Sequence, residues 1–122
     1  MNRRAASFGC AAVLAAFAAG ATSLPAPMGL TAEYRENPDG IDTPRPRLSW
    51  RLPDGMARQT VYEIEIDGKP QGRVESGESQ NVAWPGGALA TSQRVTWRVR
   101  VWDEANRASD WSAPATFTMG VM

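Results

Sequence analysis

The sequence contains no histidine, and its one cysteine, Cys10, lies close to the N-terminus. Beyond residue 10 the chain therefore has no imidazole or thiolate ligand from which to build a zinc site. It also lacks the partners of a Ser-His or Cys-His nucleophile. We expect no metal, no cofactor and no catalytic residue, which leaves carboxylates as the remaining candidates for acid–base chemistry.

Neither sign of charge is in excess, because 13 basic side chains balance 13 acidic ones. Loss of Arg3 and Arg4 with a cleaved leader would leave 11 basic against 13 acidic side chains. Nucleic-acid-binding domains carry a clear basic patch or excess. The composition thus predicts no nucleic-acid partner and no attraction to an anionic membrane.

Only the first residues resemble a targeting segment. Arg3 and Arg4 precede an alanine-rich run over 5–21, which is too weakly apolar for a membrane span and ends in small residues that suit a signal peptidase. We interpret 1–23 as a signal peptide and 24–122 as a single domain. The predicted location is secreted or periplasmic, with no membrane attachment after cleavage.

The rest of the chain has no ten-residue stretch of helical period and consists of short apolar or alternating runs separated by Gly, Pro, Asn and Asp. Seven short strands within about 95 residues are typical of an immunoglobulin-like or fibronectin type III fold. We therefore predict an all-β, seven-stranded sandwich. The predicted strands are 29–34, 47–52, 60–67, 73–76, 81–84, 94–103 and 115–120.

Turn residues punctuate these runs. The segment 37–40, Asn-Pro-Asp-Gly, predicts a β-turn, because proline fixes φ at its second position and glycine closes it. Asp67 and Gly68 predict a tight hairpin turn.

Five tryptophans are many for a domain of this size. Trp50 and Trp97 lie at positions that alternate inward, so we expect them in the core together with Tyr62, Ile64 and Val99.

The opposite face of strand 94–103 carries a different set of side chains. Trp102 shares that face with Arg98 and Arg100, while Trp111 lies just before the last strand. Because a guanidinium can stack on an indole, we expect Arg98, Arg100 and Trp111 to form a surface stack.

A second interpretation of the tryptophans is functional. Trp84, Trp102 and Trp111 could form an aromatic platform for sugar rings or for a neighbouring domain. Glu63 and Glu65, two residues apart on one strand, would lie about 7 Å from each other. That separation resembles the acid pair of an inverting glycosidase, but we expect the two carboxylates to project side by side from a solvated sheet face.

Several separated motifs together resemble one family over about residues 28–122. They are Asn-Pro-Asp-Gly-Ile-Asp at 37–42, Pro-Arg-Leu-Ser-Trp at 46–50, Trp-Arg-Val-Arg-Val-Trp-Asp at 97–103, Trp-Ser at 111–112 and Phe-Thr-Met-Gly at 117–120. In order and spacing the chain is similar to the N-terminal immunoglobulin-like domain of bacterial α-L-rhamnosidases of glycoside hydrolase family 78.

The resemblance implies a non-catalytic accessory module. In that family further β-domains and an α/α barrel follow, and no position of this sequence matches the motifs of the barrel. The implied partner is a catalytic or neighbouring β-domain of a rhamnosidase-like enzyme, and the chain is expected to be a fragment that lacks the barrel. The alternative is a stand-alone secreted module that binds carbohydrate or another protein.

Overall fold

The computed structural model describes residues 24–121, so the predicted signal peptide at 1–23 lies outside the described residues. Within this range the chain is all-β, as predicted, and contains no helix that could cross a membrane. The strands are β1 Met28–Ala32, β2 Asp39–Ile41, β3 Leu48–Arg51, β4 Gln59–Ile66, β5 Lys69–Glu75, β6 Arg94–Asp103 and β7 Ala115–Met119.

The strands form two sheets. The larger sheet has the order β2-β7-β6-β4-β5, and the smaller sheet pairs β1 with β3. All pairs are antiparallel except β2 with β7. The arrangement is consistent with an immunoglobulin-like or fibronectin type III sandwich, in which two sheets enclose one core.

The predicted strand at 81–84 is wrong, because this segment contributes a single bridge to the smaller sheet. Val82 and Leu48 exchange two backbone hydrogen bonds, of 2.9 and 2.8 Å. Within 81–84 the pairing extends no further, since Asn81 adopts a left-handed φ of 55° and Pro85, which follows Trp84, has no N–H to donate. The seventh strand is instead β2.

β2 occupies the place where the sequence predicts a β-turn. Asn37 and Gly40 do take positive φ values, of 45° and 77°, but they redirect the chain from the smaller sheet to the larger one. The Pro38 carbonyl accepts a hydrogen bond from the Thr118 N–H at 3.0 Å, and Gly120 donates to Ile41 at 2.8 Å. These turn-forming residues therefore lie where the chain crosses from the smaller sheet to the larger one.

The hairpin between β4 and β5 is confirmed. Asp67 and Gly68 both have positive φ, 48° and 83°, as a two-residue type I′ turn requires. The turn lets Ile66 pair with Lys69. The strand β6 is also confirmed, with the predicted bounds.

The core lies between the sheets and is built around aromatic contacts. The Trp50 ring meets the Tyr62 ring edge-on at a centroid distance of 5.3 Å, and Trp84 meets Phe117 at 5.6 Å. The inward residues of β6 are buried almost completely. All the residues named from sequence as core are buried: Trp50, Tyr62, Ile64, Trp97 and Val99.

Candidate functional site

The outer face of the larger sheet carries paired charges. Glu63 lies opposite Arg100, and Glu65 lies opposite Arg98, in the register of β4 and β6. Two nitrogens of Arg98 contact the two carboxylate oxygens of Glu65, at 2.6 and 3.1 Å. Two nitrogens of Arg100 share Oε1 of Glu63, at 3.1 and 2.9 Å. Both ion pairs thus follow from strand register.

Two serines, Ser109 and Ser112, hold the segment that contains Trp111 beside β6. The Oγ of Ser112 accepts the Val99 N–H, and the Oγ of Ser109 accepts the Val101 N–H, each at 3.0 Å. The N–H groups of the same serines donate back to the carbonyls of Val99 and Val101. Because hydroxyls replace backbone carbonyls here, the segment lies alongside β6 without forming a regular ladder.

The result is an alternating stack of guanidinium and indole groups, the arginine–tryptophan ladder. Arg73 lies 4.3 Å from the Trp102 ring centroid, and Arg100 lies 5.0 Å from it. Arg100 and Arg98 lie 4.6 and 4.9 Å from the Trp111 ring centroid. The ladder runs, in order, through Arg73, Trp102, Arg100, Trp111 and Arg98.

The expectation that Glu63 and Glu65 project into solvent is wrong. Glu63 is only 8% exposed, and the side chain of Glu65 is 15% exposed. The hydrogen bonds from Arg98 hold the pKa of the Glu65 carboxyl below its ordinary value, and they raise the pKa of Arg98. Since the guanidinium groups hold both carboxylates, neither is free to act as a general acid.

The three tryptophans suggested as a platform do not form one exposed surface. Trp84 belongs to the core: its indole is 6% exposed and donates to the Gly87 carbonyl at 2.8 Å. Trp102 is 7% exposed, and Trp111 is half-buried. The indoles of Trp102 and Trp111 each contact two guanidinium groups, which leaves little ring surface for a sugar to stack on.

Two buried polar residues carry contacts that the sequence pattern does not reveal. Gln59 is 2% exposed because a bulge between Gln59 and Val61 turns it away from the outer face of β4. Asp103 is 1% exposed and binds the next turn through the N–H groups of Ala105 and Arg107 and the Arg107 guanidinium. The sequence signal for the buried position of Asp103 is that it continues the inward alternation of β6.

The described part of the chain offers no cluster of three or more His, Cys, Asp or Glu side chains that could hold a metal ion. Two of the surface depressions in this part are open grooves of about 250 and 310 Å³. The arrangement of charges and rings in the ladder locks strands and connecting segments together.

A family model described as "Rha78A-like, N-terminal immunoglobulin domain" matches residues 27–122. The chain belongs to this family. The resemblance drawn from the separated motifs is thus confirmed, and this Rha78A-like immunoglobulin domain is an N-terminal accessory module.

The curated relatives of the Rha78A-like domain are α-L-rhamnosidases. The enzyme from Streptomyces avermitilis is 35% identical over 104 residues, which cover 75% of this chain and 10% of the relative. The enzyme from Alteromonas sp. strain LOR is 31% identical over 100 residues, which cover 70% of this chain and 11% of the relative. The chain therefore spans about a tenth of the length of these relatives.

Solved structures agree with the sequence relatives. The Streptomyces avermitilis α-L-rhamnosidase in complex with L-rhamnose matches with a TM-score of 0.72 and 32% identity, over 78% of this chain and 10% of that one. The Aspergillus terreus enzyme matches with a TM-score of 0.71 and 29% identity, over 80% of this chain and 12% of that one. A fibronectin type III array of RIM-binding protein, at 20% identity and a TM-score of 0.52, shares the fold alone.

Proposed function

We propose that this module packs against the neighbouring domain of an α-L-rhamnosidase and holds it in place, without binding the substrate. The observation that carries the proposal is the arginine–tryptophan ladder, whose rings and guanidinium groups contact one another and so stabilise the module itself instead of binding a ligand. The module is therefore a rigid body against which a neighbour can pack at another surface. Membership of an N-terminal domain family supports a place next to further domains.

A carbohydrate-binding role gains no support from the same face. Sugar-binding sites combine exposed aromatic faces with free polar groups, whereas Glu63 and Glu65 are bound to Arg100 and Arg98. We expect Trp fluorescence of the chain to stay unchanged on titration with L-rhamnose to millimolar concentrations. A saturable change would favour the sugar-binding alternative.

The packing role can be tested in the Streptomyces avermitilis enzyme, 35% identical in the matched region. One variant lacks its N-terminal module, and a second carries residues 24–121 of the present chain in its place. We expect the deletion to lower the apparent Tm and the yield of folded enzyme, and the replacement to restore both. The kcat on an aryl α-L-rhamnoside should be the same per folded molecule in all three proteins.

Two outcomes would contradict the proposal. A deletion variant with unchanged Tm and yield would show that the module supports no neighbour. A loss of kcat in the deletion variant, with Tm unchanged, would assign the module a part in turnover.

We also propose that the protein is exported. The support is the basic start and the alanine-rich run of residues 1–23. Expression of the full sequence in a bacterial host, followed by mass measurement of the periplasmic protein, should give a species that begins near residue 22 or 24. Recovery of only the uncleaved chain from the cytoplasm would contradict export.

A further inference from the structure

One end of the sandwich contains the C-terminal end of β7 and the loops around it. β7 ends at Met119, and Gly120 lies beside the loop that precedes β6, since the Ser92 N–H donates to the Gly120 carbonyl at 3.3 Å. The β4–β5 turn lies at the same end, because the Asp67 N–H donates to the Thr96 carbonyl near the start of β6. We call this end the exit pole; it comprises 41–45, 67–69, 84–93 and 119–121.

The exit pole contains an open groove of about 310 Å³ between the β4–β5 turn and the loop over 84–93. Its lining combines the apolar side chains of Ile66, Trp84 and Leu89 with the exposed polar side chains of Lys69 and Gln71. Gly86 leaves little room here, since a Cβ at this position would lie 3.0 Å from Nε1 of Trp84 and 3.1 Å from Cδ1 of Ile66.

The groove is held in shape before any partner arrives. The loop over 84–93 is tied by the Trp84 indole to the Gly87 carbonyl at 2.8 Å, and by the Leu89 N–H to the Pro44 carbonyl at 3.0 Å. The Ala90 N–H donates to the Gln93 side chain at 2.9 Å. A surface fixed in this way loses little conformational entropy when it binds.

We propose that the exit-pole groove is the docking site for the domain that follows the module in the longer rhamnosidases. This inference rests on the proposed packing function and names the surface that carries it. The module is N-terminal in its family and makes up about a tenth of the relatives, so the following polypeptide starts at this pole. Because the two domains belong to one chain, docking is intramolecular, and the effective concentration of the following domain at the groove is high.

The chemistry of the groove specifies its occupant. Its apolar lining can take one apolar side chain from a loop of the following domain, and Lys69 offers a cation to a carboxylate beside that side chain. The ladder face offers such a partner less, because Glu63 and Glu65 are already bound to Arg100 and Arg98 and guanidinium groups cover the rings of Trp102 and Trp111. Contacts between domains of one chain typically bury about 600 to 1,500 Å², so the surrounding loops of the pole would share the interface.

A matched pair of substitutions tests the site in the chimeric enzyme described above. Ala88→Arg places a bulky cation in the groove, and Ala57→Arg places the same side chain on the turn at the opposite pole; both alanines are exposed. We expect Ala88→Arg to lower the apparent Tm of the chimera by about 2 to 4 °C and Ala57→Arg to leave it unchanged. Neither should change the Tm of the isolated chain.

Lys69 supplies a second measurement that needs no mutation, because it is the one lysine of the sequence and its side chain is exposed. Acetylation by an amine-reactive reagent, followed by peptide mass spectrometry, should proceed readily at Lys69 in the isolated chain and be strongly suppressed in the chimera. Equal acetylation in both proteins, or equal effects of the two arginine substitutions, would overturn the docking site. The packing function itself would still stand if deletion of the module lowers the Tm.

Discussion

Gln59 carries a buried amide that joins three parts of the chain. Its Oε1 accepts the Trp50 indole N–H at 3.0 Å, and its Nε2 donates to the carbonyls of Ser76 and Glu78 at 3.0 and 2.8 Å. We expect Gln59→Leu to lower the free energy of unfolding by about 2 to 4 kcal/mol, because it leaves buried polar groups without partners. Urea denaturation followed by circular dichroism measures the change.

The matched control is Gln71→Leu on the exposed edge strand β5, where the side chain only contacts the Lys69 carbonyl at 2.9 Å. It should change stability by no more than about 0.5 kcal/mol. If the two leucine variants were equally stable, the amide of Gln59 would not hold the segments together. In a Trp50→Phe background the cost of Gln59→Leu should shrink, since the shared hydrogen bond is already absent.

At the residue scale, the alternating sequence pattern predicts which apolar residues are buried, but it does not predict which polar residues are buried with them. Trp97 and Val99 follow the inward phase of β6 without interruption, so a pattern of period two suffices to place them. Gln59 shares its phase with the outer residues Glu63 and Glu65, and only the bulge after it turns it inward. A bulge depends on the pairing of two strands, which a local pattern does not contain.

At the scale of elements, Trp111 joins the segment before β7 to the outer face of β6. Its indole contacts the guanidinium groups of Arg98 and Arg100. We expect Trp111→Ala to lower the free energy of unfolding by about 1 to 3 kcal/mol through the loss of both contacts and their packing. Trp111→Phe keeps a ring of weaker quadrupole, so its free energy of unfolding should lie between those of the parent and Trp111→Ala. An unchanged Tm in Trp111→Ala would exclude a stabilising role for the ladder.

The ion pair between Glu65 on β4 and Arg98 on β6 makes stability depend on pH. The pKa of Glu65 is lowered from its ordinary value of 4.5 by the Arg98 hydrogen bonds, so the charged carboxylate is favoured in the folded state. Its contribution is complete above about pH 4.5 and is lost as the pH falls through the lower folded-state pKa. Tm measured between pH 7 and pH 3 should therefore fall on the acid side.

Glu65→Gln should flatten part of this acid limb, since the variant has no carboxyl to protonate. The remaining slope belongs in part to Asp103, whose pKa is lowered from 3.8 by the backbone N–H and the guanidinium of Arg107. Glu104→Gln, on the exposed turn after β6, is the matched control and should keep the acid limb of the parent. Identical acid limbs in Glu65→Gln and the parent would contradict the argument.

Strands with strong local patterns were predictable, and short strands defined by distant partners were not. β6 alternates over its whole length and was placed at its true bounds. β2 has three residues and exists because β7 pairs with it in parallel. The segment at 81–84 has an apolar pattern, yet its left-handed Asn81 limits it to one bridge. The ladder was predicted in part, because Arg73 joins it from β5 across the sheet.

At the scale of the whole molecule, the smaller sheet cannot be stable without the larger one. It consists of β1 and β3 with a single bridge at Val82, and an isolated pair of strands is marginal in water. Trp50, from β3, is fully buried against Tyr62 and hydrogen-bonded to Gln59, both on β4. The two sheets therefore share one core and should unfold together.

We expect a single cooperative transition with a free energy of unfolding of about 5 to 15 kcal/mol. Far-UV circular dichroism reports both sheets, whereas Trp fluorescence is dominated by the core and the ladder, so the two probes should give the same midpoint in urea. The Gln59→Leu variant sharpens the test, because it weakens the link between β3 and β4 and should move both midpoints equally. Different midpoints from the two probes would contradict this expectation, because they would show that the two sheets do not unfold as one unit.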